Sequence, residues 1–220
     1  MGIFISFLAM PMALQASGMG IYVPYSFGDK SSLTDDGNDF DVEYKGTAGF
    51  GLLYDSNLGK DTLYNYRLGL EYLTPSTHKT SNDYGDFECQ SECDFSRFNI
   101  VNTFGFGVFR TEMLRIWIGP RLNIAYMWDS GPHGYQEAAF EFGIAPAAGI
   151  NVNIGPVVSL GFDLDYRFAS IFGGYTGDDG FGGTDDGSYS GGTTGVTARF
   201  SLMFRFGETF ERTDSTYNDL

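Results

Sequence analysis

The chain is short of positive charge: it carries 13 Lys and Arg against 28 Asp and Glu, a net charge of −15 at pH 7. Such an anionic surface repels phosphate backbones, which argues against a nucleic-acid partner. No apolar run reaches the roughly 18 residues that a membrane-spanning helix needs. Only two histidines and two cysteines occur, which leaves little material for histidine-based catalysis or a cysteine metal site. No glycine motif follows a strand and opens a helix, so the glycines have no nucleotide-binding reading. What the chain has in excess is Gly (31), Phe (21) and Tyr (14).

The apolar stretch Gly2 to Ala16, followed by small residues to Gly18, reads as an export leader over residues 1–18, without the usual Lys or Arg before it. Export suits a disulfide between Cys89 and Cys93, which bracket Gln-Ser-Glu and would staple a loop tip. Closing so short a loop contributes about 2 kcal/mol.

From Met19 on, eight segments alternate with period two, the mark of strands with two unlike faces. In Val157–Phe168 the apolar face is Val158, Leu160, Phe162, Leu164, Tyr166 and Phe168, opposite Asp163, Asp165 and Arg167. Val196–Phe206 repeats it, with Arg199 and Arg205 on the polar face. Strand two, from Val42 to Tyr54, places Glu43 and Lys45 on that face; strand three places Arg67 and Glu71 there, and strand five Arg121. Pro146 predicts a bulge or edge-like irregularity in strand six, and Asn102 falls on the apolar face of strand four. Connections alternate between long (Asp29–Asp41, Pro75–Asp94, Ser170–Thr194) and short (Asp55–Asp61, Arg110–Leu114, Gly155–Pro156), with Asp129–Glu137 intermediate. Apolar-out alternation with alternating loop lengths predicts an all-β fold, an eight-stranded antiparallel up-and-down transmembrane β-barrel over residues 19–206. Tyr44, Tyr72, Tyr126, Trp128 and Tyr166 are expected to ring its outer interface, and Tyr54, Tyr64 and Phe206 its inner one.

On this pattern the segment Gly20–Phe206 resembles the small outer-membrane barrels of the OmpA-transmembrane, OmpX and opacity type. The Phe204-Arg205-Phe206 triplet is similar to their strand-end assembly signal, although here the chain continues through residues 207–220, a short tail. The resemblance implies a bacterial outer-membrane location with long loops outside and both termini in the periplasm.

The three long connections and the intermediate one together hold sixteen acidic residues and two lysines, so the excess charge is displayed outside. The expected lumen set is mixed: Glu43, Glu71, Glu141, Asp163 and Asp165 against Lys45, Arg67, Arg97, Arg115, Arg121, Arg167, Arg199 and Arg205. An eight-stranded lumen is filled by its own side chains, so these charges must pair, with Arg199 next to Asp163 or Asp165. Asp35-Asp36-Gly37, Asp178-Asp179-Gly180 and Asp185-Asp186-Gly187 admit two readings. One is a solvated loop; the other is a calcium site built from Asp178, Asp179, Asp185 and Asp186. His78 and His133, with Ser neighbours in the loops, carry no recognisable catalytic arrangement. The function expected is therefore a non-enzymatic surface protein whose acidic loops serve cell-surface interaction, with lipopolysaccharide or a protein partner, or envelope structure. A narrow pore through the charged interior and a lipid A-modifying enzyme are the alternatives.

Overall fold

The computed structural model describes residues 17–56, 63–76, 78–82, 85–88, 95–130, 136–178 and 184–206. The expected leader, apart from Ser17 and Gly18, and the expected tail lie outside them, as do Cys89 and Cys93. The strands are β1 (Ser17–Asp35), β2 (Asn38–Tyr44), β3 (Thr47–Asp55), β4 (Tyr64–Ser76), β5 (His78–Asn82), β6 (Gly85–Glu88), β7 (Phe95–Arg110), β8 (Leu114–Ser130), β9 (Gln136–Ile154), β10 (Val158–Asp178) and β11 (Thr184–Phe206).

Eight of them, β1, β3, β4, β7, β8, β9, β10 and β11, form an antiparallel up-and-down ring, closed by β11 pairing with β1. Closure leaves this part of the sheet without an edge, the condition for spanning a bilayer with strands. Ser17 pairs with Phe206, so the described chain enters and leaves the barrel at one rim. Beyond the other rim the strands stand up as hairpins. Long loops expected there are in part strand: β1 and β2 meet at a tight Asp36-Gly37 turn, both residues with positive φ, and β10 and β11 extend to Asp178 and Thr184.

The outward face carries a band of exposed large apolar residues, among them Ile21, Phe50, Ile118, Phe142, Phe162 and Phe200. Soluble monomers do not expose a continuous apolar girdle, whereas a barrel in lipid requires one. Asn102 lies on this face and is satisfied by the hydroxyl of Tyr66, which donates to its Oδ1 at 2.6 Å. Tyr72, Trp128, Tyr126 and Phe140 make an aromatic arc with successive centroids 6.1, 5.5 and 5.0 Å apart.

Pro146 inserts no extra residue. It stands opposite Pro120, and the β9–β10 ladder lapses between the pairs Asp165–Ala147 and Phe168–Ile144 without a change of register. The missing proline N–H accounts for the lapse.

Two irregularities do shift the phase of the alternation. In β1 the register slips between Phe27 and Lys30, where Gly28 adopts φ 66°. Between β2 and β3, Lys45 and Gly46 leave the strand. Below these points Tyr22, Ser26, Gly51, Leu53 and Asp55 point inward; above them Asp29, Ser31, Leu33 and Val42 do. A bulge turns the next side chain to the opposite face, which is why it can exchange inside for outside.

Candidate functional site: lumen and upper hairpins

At the level of the apolar band the lumen is ionic. Arg67, Arg97, Arg115, Arg121, Arg167 and Arg199 are buried there with Asp29, Asp55, Glu71, Glu141, Asp163 and Asp165. Every one of them comes from a strand whose other face meets the apolar girdle, so the period-two pattern delivers them inward.

Asp163 sits at the centre: Arg121 ion-pairs with it at 2.8 Å and Arg67 at 3.2 Å, with Arg199 at 3.7 Å. Arg67 also holds Asp55 at 2.8 Å. Arg199 donates to both oxygens of Glu71, at 3.0 and 3.1 Å, and bonds Asp165, which also receives Arg121. Strand adjacency reaches Asp163 and Asp165 from Arg199; it does not reach Glu71, which arrives from β4, three strands round the ring. A second cluster joins Arg97 and Arg167 through Glu141, with Arg167 also donating to Asp29 at 2.9 Å. Buried ions need such paired and hydrogen-bonded surroundings, since one stripped of its partner costs several kcal/mol.

Two members of the expected lumen set are elsewhere. Glu43 and Lys45 are exposed on the outside, because the break at Lys45–Gly46 inverts the phase of β2 relative to β3. Glu43 pairs instead with Lys30, both side chains more than half exposed (56% and 64%), and this hydrogen bond raises the Lys30 ammonium above its ordinary pKa. Arg205 holds the inward register at the terminal rim, half-buried. Asp29 and Asp55, read from sequence as connection residues, belong inside, so the lumen has no cationic surplus. The six buried arginines stand against the six carboxylates above and a further buried one, Asp129.

Above the ionic layer the lumen turns apolar. Leu33, Val42, Phe95, Met127, Ala139, Ile171 and Tyr189 form one buried cluster, with Phe40, Tyr44 and Tyr175 packed against it. Tyr44 is thus inside and not part of the outer aromatic ring, for the same phase inversion that expels Glu43. Among the described residues, small cavities lie inside the barrel, one of about 20 Å³ beside Asp29, Arg97 and Arg167 and another of about 10 Å³ beside Tyr22, Arg121 and Asp163. Each has room for about one water.

Outside, the upper β1–β2 hairpin presents Asp39, Asp41 and Glu43 in a row, opposite Thr34, Ser32 and Lys30. Thr34 donates to Asp39 and Ser32 to Asp41, each at 2.7 Å. Tyr175 donates to Asp35 at 2.8 Å, tying the β10–β11 hairpin to this one. Of the expected calcium residues, Asp179 lies outside the described residues, Asp178 ends β10, Asp185 pairs with Gly177 as the second residue of β11, and Asp186 is exposed opposite Thr176. His133 also lies outside, and His78 is placed only as the first residue of β5.

No family model matches the sequence, and no curated protein matches it. Among solved structures, the outer membrane protein OprG from Pseudomonas aeruginosa has the same fold. It is 11% identical, with 87% of this chain and 96% of that chain aligned and a TM-score of 0.65. The barrel is thus built like the small outer-membrane proteins its alternation resembles. The outer membrane protease OmpT from Escherichia coli aligns over 90% of this chain and 99% of its own, at 9% identity and a TM-score of 0.49. Ail, the attachment invasion locus protein of Yersinia pestis, aligns over 86% and 99%, at 17% identity and 0.41. The expectation that this chain is not an enzyme is corrected: one fold hosts many chemistries, so a barrel build is no argument against catalysis.

Proposed function

We propose that the chain is an integral outer-membrane protein that anchors a closed barrel in the bilayer and presents its acidic hairpins to partners outside the cell. One observation carries this reading. Along the outward face of β1 and β11, the side chains change from apolar, up to Phe27 and Val196, to polar from Lys30 and Thr194 on, with the carboxylates of β2 beside them. That change marks where hydrocarbon ends, and the hairpins past it stand in water. The ionic layer and its apolar cap fill the lumen, so the surface on offer to a large partner is the hairpin surface. Extended hairpins outside and short turns within are the habit of such barrels, which puts both chain ends in the periplasm. Protein partners and lipopolysaccharide are the classes that the acidic, partly aromatic rim suits.

The test is a short epitope inserted either between Asp36 and Gly37 or into the turn at Thr111–Met113. Antibody on intact cells is expected to label the first and to reach the second only after the outer membrane is permeabilised. The reverse pattern would overturn the reading.

A further inference from the structure

We propose that the outward face of β10, β11, β1 and β2, immediately past the apolar band, holds the saccharide headgroup of a lipid whose acyl chains lie on that band. The proposal rests on the reading that this rim faces outside the cell.

The register defines the face as three rows of side chains. The first runs Ile144, Phe168, Thr194, Lys30, Glu43; the second Phe142, Ser170, Gly192, Ser32, Asp41; the third Phe140, Phe172, Ser190, Thr34, Asp39. Each row begins on the lipid-facing apolar surface and ends in a carboxylate, with no break in the sheet between. A lipid lying against Ile144, Phe142 and Phe140 is therefore carried by the same surface onto hydroxyls, glycine and carboxylates.

The chemistry of the rows selects the headgroup. Ser32 and Thr34 donate their protons to Asp41 and Asp39, so what each hydroxyl has left to offer is acceptor capacity, and both side chains are exposed beside their carboxylates. The result is an array of acceptors, and a sugar supplies many hydroxyl donors. Phe172, 55% exposed at the edge of the third row, offers a flat apolar surface to the C–H face of a pyranose. Lys30, in the row nearest the band, is held by Glu43, so what the face offers a sugar is its hydroxyl and carboxylate acceptors.

Size and composition exclude two other occupants. From Lys30 to Thr34 the face rises about 13 Å along the strand, more than one phosphodiester headgroup spans. A protein partner would want large anchors, whereas the middle of this face is Ser, Thr and Gly, residues that contribute little at interfaces.

The experiment titrates the folded barrel in detergent with lipopolysaccharide and, separately, with phosphatidylglycerol. It compares the wild type with Gly192→Trp and Ser190→Trp, which cover the face, and with Phe104→Trp on the apolar band of β7, across the ring. A side chain at Gly192 has room, since a Cβ there would lie 3.9 Å from its nearest neighbour, the Ala169 carbonyl oxygen. Heat-shifted gel mobility identifies variants that have folded. The expected result is selective binding of lipopolysaccharide, weakened at least tenfold by either face variant and unchanged by Phe104→Trp. Equal binding of phosphatidylglycerol, or face variants that bind like wild type, would overturn the proposal. If the Asp36–Gly37 epitope is surface-exposed and lipopolysaccharide binding is still unaffected, this inference alone fails; if the epitope is hidden, the display reading fails with it.

Discussion

Arg199 is the side chain whose loss should damage the lumen most, and its replacement by Met gives a number to check. The wild-type guanidinium donates to Glu71 at 3.0 and 3.1 Å and bonds Asp165, all of them buried. Met fills similar space and supplies no charge. Glu71 is then left with Asn99, which donates to its Oε1 at 2.7 Å, and Asp165 with Arg121. Breaking a buried pair from one side costs about 3–5 kcal/mol, because a carboxylate remains desolvated. Arg199→Met is therefore expected to shift the unfolding equilibrium at least a hundredfold. The assay is urea unfolding of the barrel in lipid vesicles, followed by tryptophan fluorescence and by unheated gel mobility. Adding Glu71→Gln should recover about 1–2 kcal/mol of that loss, since the second change removes the orphaned charge. A single-variant loss below about 1 kcal/mol, or a strictly additive double variant, would refute the network as a unit.

Three further outcomes follow from local geometry. A Cβ at Gly195 would lie 1.5 Å from Asp29 Oδ1, so Gly195→Ala should push Asp29 off Arg167 and cost about 1–3 kcal/mol in the same unfolding assay. Gly28→Val forces a β-branched residue to φ 66° at the phase-inverting slip and should cost about 1–2 kcal/mol; an unaltered midpoint would mean that the slip is not needed. Tyr66→Phe leaves Asn102 without its 2.6 Å partner on the lipid face and should cost about 1–3 kcal/mol, again read from the urea midpoint.

The long regular strands were legible because burial imposes period two on every side chain they contribute. Val158 to Phe168 shows that pattern so fully that its inward Asp163, Asp165 and Arg167 can be read directly. The register slip at Gly28 and the gap at Lys45–Gly46 were not legible. One residue out of step leaves composition unchanged yet turns every later side chain over. Hence Glu43 and Lys45 read as inside when they are outside, and Tyr44 reads as outside when it is in. A faint signal existed: Leu33 is an isolated apolar residue in a polar stretch and Phe40, Val42 and Tyr44 alternate, each set separated by a glycine from the regular alternation below. Pairing within the lumen was legible only between neighbouring strands. Contacts across the ring, such as Arg67 with Asp163, depend on barrel closure and shear, which no local pattern encodes.

The central claim is that the lumen is closed by its own side chains, so that the barrel acts through its outer hairpins. Single-channel recording of the folded protein in planar bilayers tests this most directly. The account predicts an electrically silent membrane for the wild type at moderate voltage. Discrete, reproducible conductance steps that vanish when Arg121 or Arg199 is replaced would contradict it and restore a path through the ionic core.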